Sequence, residues 1–259
     1  MKVIAIANKK GGVGKTTTAV NLSCGLAKKG YRVLAIDLDQ QGHLTKSFGF
    51  DVEKMGTVNT AFEWLMNSLP LDIVVQRKNN IDVVMADISL AALDAELQRK
   101  LKREYVLCRE INKVFPNYDY VVIDCPPSLG NITINILTAA DRVVIPFRPD
   151  FLSKDGVYAL LETVKEIQEQ EINARLKISG FLPTMVDKRC NNEASFVEAN
   201  NLANQYGGVV FGEGIRLAKV LADAPGKGLS IFDYAPDSPA AQDYQAFIDK
   251  FLELEGEKK

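Results

Sequence analysis

The chain has 259 residues, of which 47% are hydrophobic and 25% charged, with a net charge of −2 and a mean hydropathy of −0.04. That length suits one large α/β unit, expected here as a single domain over residues 1–259, and the charge excludes a protein coated in basic surface, so any nucleic-acid binding has to come from a local patch. Four scattered cysteines (Cys24, Cys108, Cys125, Cys190) without a C-x-x-C pair, and a lone histidine, His43, argue against a disulfide framework, a zinc cluster or a histidine-based triad.

The N-terminus leads directly into an apolar run, with no room for a signal peptide, and no run approaches the length of a membrane helix. The expected location is therefore cytoplasmic. Residues 3–7 read as a buried strand, followed by Lys9-Lys10-Gly11-Gly12-Val13-Gly14-Lys15-Thr16-Thr17. A helical pattern then runs over about residues 15–29, with Ala19, Leu22, Cys24, Leu26 and Ala27 at its apolar positions and Gly30 as its C-cap. A glycine-rich turn between a strand and a helix presents converging N–H groups and a partial positive charge, which suits polyphosphate. In such a loop Lys15 meets the β- and γ-phosphates and the Thr16 hydroxyl takes one position on Mg²⁺. The plain alternative, a turn whose lysines merely face water, leaves the order of three glycines, a lysine and two threonines unexplained.

Residues 31–37 form the next apolar strand, closing on Asp37-Leu38-Asp39-Gln40-Gln41-Gly42. Alternation puts Asp37 and Asp39 on one side. Residues 58–67 read as helix, 81–86 as strand and 90–114 as one charged helix. Residues 120–124 make a second strand ending in an aspartate, Asp124, which reads as the carboxylate that holds Mg²⁺. Strands at 142–147, 177–182 and 209–211 and helices near 153–170, 191–206 and 238–254 complete the pattern. Near-continuous apolar strands between helices predict an α/β fold, a mainly parallel twisted sheet with helices on both faces. Right-handed crossovers bring the glycine-rich loop, Asp37, Asp39 and Asp124 to one sheet edge, where such folds bind ligands.

The ordinary phosphate-loop pattern needs glycine where this chain has Lys9, and the actual run, Lys10-Gly11-Gly12-Val13-Gly14-Lys15-Thr16, resembles the deviant Walker A motif of the ParA/MinD-type ATPases. Residues 37–42 resemble the family's D-x-D-P-Q-G motif, with Gln40 where proline is usual. Ile123-Asp124-Cys125-Pro126-Pro127-Ser128-Leu129-Gly130 resembles its I-D-C-P-P-S-L-G segment. Ile215-Arg216-Leu217 through Ala224-Pro225, with Ser230-Ile231, Tyr234 and residues 240–244, resembles the C-terminal block of the ParA branch.

The resemblance implies an Mg²⁺-dependent ATPase, slow unless stimulated, that forms a homodimer when ATP is bound. Lys10 reaches across the interface to the partner's nucleotide, and Lys10, Lys15 and Asp39 form the catalytic set, with Asp39 positioning the attacking water. Gly11, Gly12, Val13, Gly14, Lys15, Thr16 and Thr17 cradle the phosphates, and Gly130 brings an N–H near the γ-phosphate. Thr16 and Asp124 hold the metal, with Asp37 behind them, while Met185 and Asp187 lie near the adenine. Non-specific DNA is the implied track, through Lys188, Arg189, Arg216, Lys219 and Lys227, and a ParB-like or other cargo adaptor the implied stimulator, which makes the protein nucleoid-associated. Residues 181–230 balance those five basic residues with Asp187, Glu193, Glu198, Glu213 and Asp223, so only geometry makes a patch.

Three other readings compete. A MinD-like membrane-surface ATPase needs a basic amphipathic C-terminal helix, whereas the polar face here carries Asp243, Asp249, Glu253, Glu255 and Glu257. A nitrogenase iron-protein relative needs a cysteine spacing this chain lacks. An ATP-gated scaffold with little turnover is kept open by Gln40.

Overall fold

The computed structural model describes the chain apart from residues 57, 115, 116, 150–153, 188, 191 and 257–259. Eight strands form one sheet: β1 (Lys2–Ile6), β2 (Val33–Asp37), β3 (Val75–Lys78), β4 (Ile81–Val84), β5 (Tyr120–Asp124), β6 (Arg142–Phe147), β7 (Lys177–Pro183) and β8 (Val209–Val210). Their order is β3-β4-β2-β5-β1-β6-β7-β8, and every pairing is parallel except that of β3 with β4. The helices are α1 (Lys15–Lys28), α2 (His43–Ser47), α3 (Ala61–Asn67), α4 (Leu93–Gln98), α5 (Val106–Val114), α6 (Asn131–Ala139), α7 (Lys154–Glu169), α8 (Glu193–Tyr206), α9 (Lys219–Asp223), α10 (Ile231–Tyr234) and α11 (Pro239–Leu254).

Both faces of the sheet are covered, which is why its strands are apolar at nearly every position. In β1, Val3 and Ala5 point into a core shared with α3 to α8, while Ile4 and Ile6 point into a second core formed with α1 and α11. The fold expected from the sequence is the fold observed. In α11, Tyr244, Phe247, Ile248, Phe251 and Leu252 are all buried in that second core, so the apolar face weighed as a lipid contact is used for packing. No helix among the described residues is long and apolar enough to cross a membrane.

Element boundaries differ from expectation in instructive ways. The helix expected over 90–114 is broken into a 3-10 turn (Ile88–Ala92), α4, a second 3-10 turn (Arg103–Tyr105) and α5. Lys102 sits between them at φ 51°, a left-handed conformation that a helix cannot continue through. The helix expected from 58 starts at Ala61, because Thr60 and Glu63 form a capping box in which the Thr60 N–H donates to Glu63 Oε2 at 2.9 Å. Helix α6 escapes a periodicity reading because Asn-Ile-Thr-Ile-Asn-Ile-Leu-Thr-Ala is rich in β-branched residues that favour strands.

The C-terminus is fastened to the sheet by charge. Glu255, with 2% of its side chain exposed, forms ion pairs with Lys2 Nζ (2.7 Å) and Arg142 Nε (2.6 Å), at the starts of β1 and β6. Burial works to raise its pKa, but the paired cations of Lys2 and Arg142, with the Arg142 hydrogen bond to Oε1, outweigh it and the net shift is downward. A depressed carboxylate stabilises the fold above its unfolded pKa, and that contribution is lost as the pH falls through the folded value. Glu255→Gln is therefore expected to cost about 1–3 kcal/mol at neutral pH, less than a fully buried pair because Lys2 is 35% exposed. In urea unfolding series the deficit should shrink as the pH falls below about 4.

Candidate functional site

Strand register assembles the site. β5 lies between β1 and β2, with Asp124 opposite Ile6 on one side and Asp37 on the other. Three chain segments thus leave adjacent strand ends at one edge. The loop after β1 turns through Gly12 at φ 70° and Gly14 at φ 81°, conformations that a side chain would strain, and α1 begins at Lys15.

Neighbouring strands brace this loop. The Asn8 side-chain amide donates to Pro146 O at 2.8 Å, and its oxygen accepts the Lys10 N–H at 2.9 Å. The Thr184 hydroxyl, just past β7, donates to Val13 O at 2.8 Å. Lys15 folds back over the loop, its ammonium donating to Lys10 O at 3.0 Å. Burial lowers its pKa, opposed by the nearby carboxylate of Asp124. Lys10 is half-buried, and Thr16 and Thr17 follow on the first turn of α1.

The acids are arranged in depth. The Thr16 hydroxyl donates to Asp124 Oδ2 at 2.7 Å, whereas Asp124 Oδ1 is buried with no hydrogen-bond partner. Burial, and then the charge of Asp37, push the Asp124 pKa well above the usual carboxylate range. Asp37 is also fully buried, and burial pushes its pKa up to about 6 although three donors stabilise its charge. Thr45 supplies its N–H and its hydroxyl, each at 2.8 Å from Oδ2, and the Asp39 N–H lies 3.2 Å from Oδ1. Asp39 is 8% exposed, and its Oδ1 accepts the Gln41 N–H at 3.0 Å.

Two adjacent buried carboxylates, with an orphaned oxygen on one, form a site short of positive charge. The donor set fits Mg²⁺, which takes few protein ligands and keeps water and phosphate oxygens. Thr16 Oγ1 and Asp124 could hold it directly, while Asp37, whose two oxygens already accept three hydrogen bonds, suits the outer shell. Among the described residues no group of three or more His, Cys, Asp and Glu could form an all-protein cage.

The remaining candidates lie elsewhere on the same side chains' terms. Gly130 is the N-cap of α6. Met185 takes φ 52°, and the next residue, Val186, bridges to Arg216. Asp187 accepts four hydrogen bonds from Arg189, whose guanidinium and backbone N–H hold its carboxyl down to about pKa 2. Arg189 stays 86% exposed beside it. Arg216 grips Asp243 through Nε (2.7 Å) and Nη2 (2.8 Å). Lys219 and Lys227 are exposed, and Lys227 lines, with Gln40 and Gln41, an open groove of about 1050 Å³ beside the acidic loop. Lys188 lies outside the described residues.

Asn8, Thr45 and Thr184 were not singled out from the sequence. Thr45 sits in the short polar helix His43-Leu44-Thr45-Lys46-Ser47, where nothing local marks it, and Asn8 and Thr184 brace the loop through Pro146 and Val13, more than 130 residues away.

A parallel sheet whose central strands deliver a glycine-rich lysine loop and two strand-end aspartates to one edge is the architecture of a phosphate-loop nucleotide hydrolase. A family model described as an AAA domain matches residues 1–178. The chain is 40% identical to the sporulation initiation inhibitor protein Soj of Bacillus subtilis, over 94% of this chain and 95% of that protein. It is 35% identical to the chromosome partitioning protein ParA of Caulobacter vibrioides, over 100% and 97%. Among solved structures, one named as cobyrinic acid a,c-diamide synthase from Mycobacterium smegmatis, with bound ADP and magnesium, superposes with a TM-score of 0.84 at 34% identity, covering 100% of this chain and 97% of that one. The chain belongs to the ParA/Soj family of partitioning ATPases.

Thr45 ties three elements together, since the Ala86 N–H also donates to its hydroxyl oxygen at 2.9 Å. Thr45→Val removes that acceptor and one donor to Asp37. The variant should lose about 1–3 kcal/mol in urea unfolding, the cost of leaving buried polar groups unsatisfied.

Proposed function

We propose that the chain binds and hydrolyses Mg²⁺-ATP as a ParA-type switch that segregates or positions DNA or another cargo. The observation that carries this reading is the orphaned Asp124 Oδ1 beside Thr16 and the buried Lys15, a shortage of positive charge at the acids that Mg²⁺ makes good when it arrives with a triphosphate. The turn from Gly11 to Gly14 and the N-terminus of α1, with Val13, Thr16 and Thr17, cradle the phosphates through backbone N–H groups. Lys15 exchanges its bond to Lys10 O for phosphate oxygens, and Thr16 and Asp124 hold the metal with Asp37 behind them. When bound, Mg²⁺ supplies charge neutralisation on the phosphate oxygens.

Asp39, next to the acids but not locked to Thr45 as Asp37 is, orients the attacking water. Phosphoryl transfer needs positioning and charge more than covalent chemistry, so this set suffices. Gly130 offers an N–H toward the terminal phosphate, and the segment of Met185 and Asp187 lies along the adenine. Lys10 acts in a partner protomer's site, which makes the ATP state a homodimer. Relatives named Soj and ParA support chromosome or plasmid DNA as the setting, with a ParB-like or other adaptor as stimulator. Lys219 and Lys227 are the best-placed phosphate contacts. Lys188, Arg189 and Arg216 complete the DNA-facing set, the arginines once they exchange their carboxylate partners for phosphate. The protein then rides the nucleoid rather than a membrane.

The deciding experiment is binding to non-specific duplex DNA with ATP, with ADP and without nucleotide. Binding should require ATP and fall at least about a hundredfold between roughly 50 and 200 mM salt, the loss expected when Lys219 and Lys227 of each protomer alone cover phosphates, and more steeply where the other three basic residues also engage. An intact ATP dimer that ignores DNA would overturn the DNA reading. Lys15→Ala should weaken ATP binding about a hundredfold or more in a titration. Lys10→Ala should keep ATP affinity within about twofold yet abolish dimers in analytical ultracentrifugation. Asp39→Ala should yield a long-lived ATP dimer, and unchanged turnover there would refute its role.

A further inference from the structure

The loop from Cys125 to Gly130 is tethered at both ends. At its start the Cys125 N–H donates to Ile6 O at 3.3 Å, on β1. Near its end the Thr133 hydroxyl donates to Ser128 O, so the second half of the loop moves with the N-terminus of α6. Between these anchors Pro127 and Ser128 are exposed.

The N-terminus of α6 is capped from outside. Its N-cap residue, Gly130, is extended (φ −78°, ψ −169°) and has no side chain to accept a first-turn N–H. The acceptor comes from α4: Asp94 Oδ1 takes the Ile132 N–H at 2.9 Å, and the Asn131 side-chain amide donates to Asp94 O at 3.2 Å. Asp94 Oδ2 fills the space a side chain at 130 would need, since a Cβ there would lie 2.6 Å from it. The carboxylate also meets the positive end of the helix. Farther along, α6 is held independently, by buried Ile136 and Leu137 and by the Leu107 N–H, which donates to Asn135 Oδ1 at 3.2 Å. Loss of Asp94 would therefore free the first turn and the loop rather than the helix.

We infer that Asp94 is a positioning residue for the response to the terminal phosphate: by capping α6 in place of Gly130, it fixes the point about which the 125–130 loop presents Gly130 to that phosphate. The inference rests on the ParA-type reading above. It separates ATP from ADP, because only ATP carries the group to which the loop responds.

The test compares the affinities of parent, Asp94→Ala and Asp94→Asn for a non-hydrolysable ATP analogue and for ADP, each with Mg²⁺. In Asp94→Ala the analogue should bind about five- to tenfold more weakly, the size of a lost helix cap, with ADP affinity unchanged. Asp94→Asn keeps an oxygen acceptor for the Ile132 N–H and should restore most of the difference. Should Asp94→Ala fail to fold, Asp94→Glu, which shifts the acceptor by one methylene, should still lower the analogue-to-ADP affinity ratio. A folded Asp94→Ala or Asp94→Glu variant with the parent's ratio overturns the inference alone. A parent that binds both nucleotides equally and never dimerises overturns the ParA-type reading and this inference with it.

Discussion

The burial of two carboxylates at neighbouring strand ends is the constraint on which the rest of this structure depends. Asp37 and Asp124 face each other across the β2–β5 register, both with no exposed surface, and Lys15 is the cation the chain itself places among them. Such a pair is costly to bury, and burial pushes both pKa values upward. The protein offsets the cost unequally. Asp37 accepts three hydrogen bonds, whereas Asp124 receives one, from Thr16, and keeps an oxygen unpaired. The inequality is structural: the satisfied carboxylate shapes the loop after β2, and the other keeps an acceptor oxygen with no partner in the fold.

The supports around this pair are drawn from the whole sheet. Thr45 links the end of β2 to the end of β4, Asn8 links the phosphate loop to β6, and Thr184 links it to β7. Each is a short polar side chain that satisfies a buried backbone group while fixing a loop. These bonds hold the loops in place without a ligand, which is the kind of support that positioning catalysis requires. The 125–130 loop is the exception. It is pinned at its two ends with exposed residues between.

The opposite face of the sheet serves a different purpose. α1, which starts at the phosphate loop, packs along α11, with the Thr18 hydroxyl 3.4 Å from that of Tyr244 and Asn21 accepting the Ile231 N–H at 2.8 Å. The C-terminal block that carries Arg216, Lys219 and Lys227 is thus built directly on the helix that follows the glycine-rich loop. Arg216 in that block is neutralised by Asp243, and Arg189 before α8 by Asp187, so the outward positive charge of the basic residues from 188 to 227 is far smaller than their count suggests.

The phosphate loop, the strand-end aspartates and the parallel sheet were legible in the chain itself, because each is a local pattern: glycines at positive φ, apolar runs covered on two faces, acids where those runs stop. The expectation of one helix over 90–114 failed at Lys102, whose left-handed turn has no local cause in the sequence, and α6 was missed because its β-branched residues obey packing rather than propensity. Asn8, Thr45, Asp94 and Thr184 acquire their roles only through partners brought close by the fold, in most cases from other strands and helices. The sequence by itself determined which chemistry the chain carries, since residue types and their spacing set what can bind. Tertiary structure alone decided which carboxylate was left unsatisfied, which arginines were neutralised and what caps the helix after Asp124, because hydrogen bonds between distant segments exist only once the sheet has aligned its strand ends.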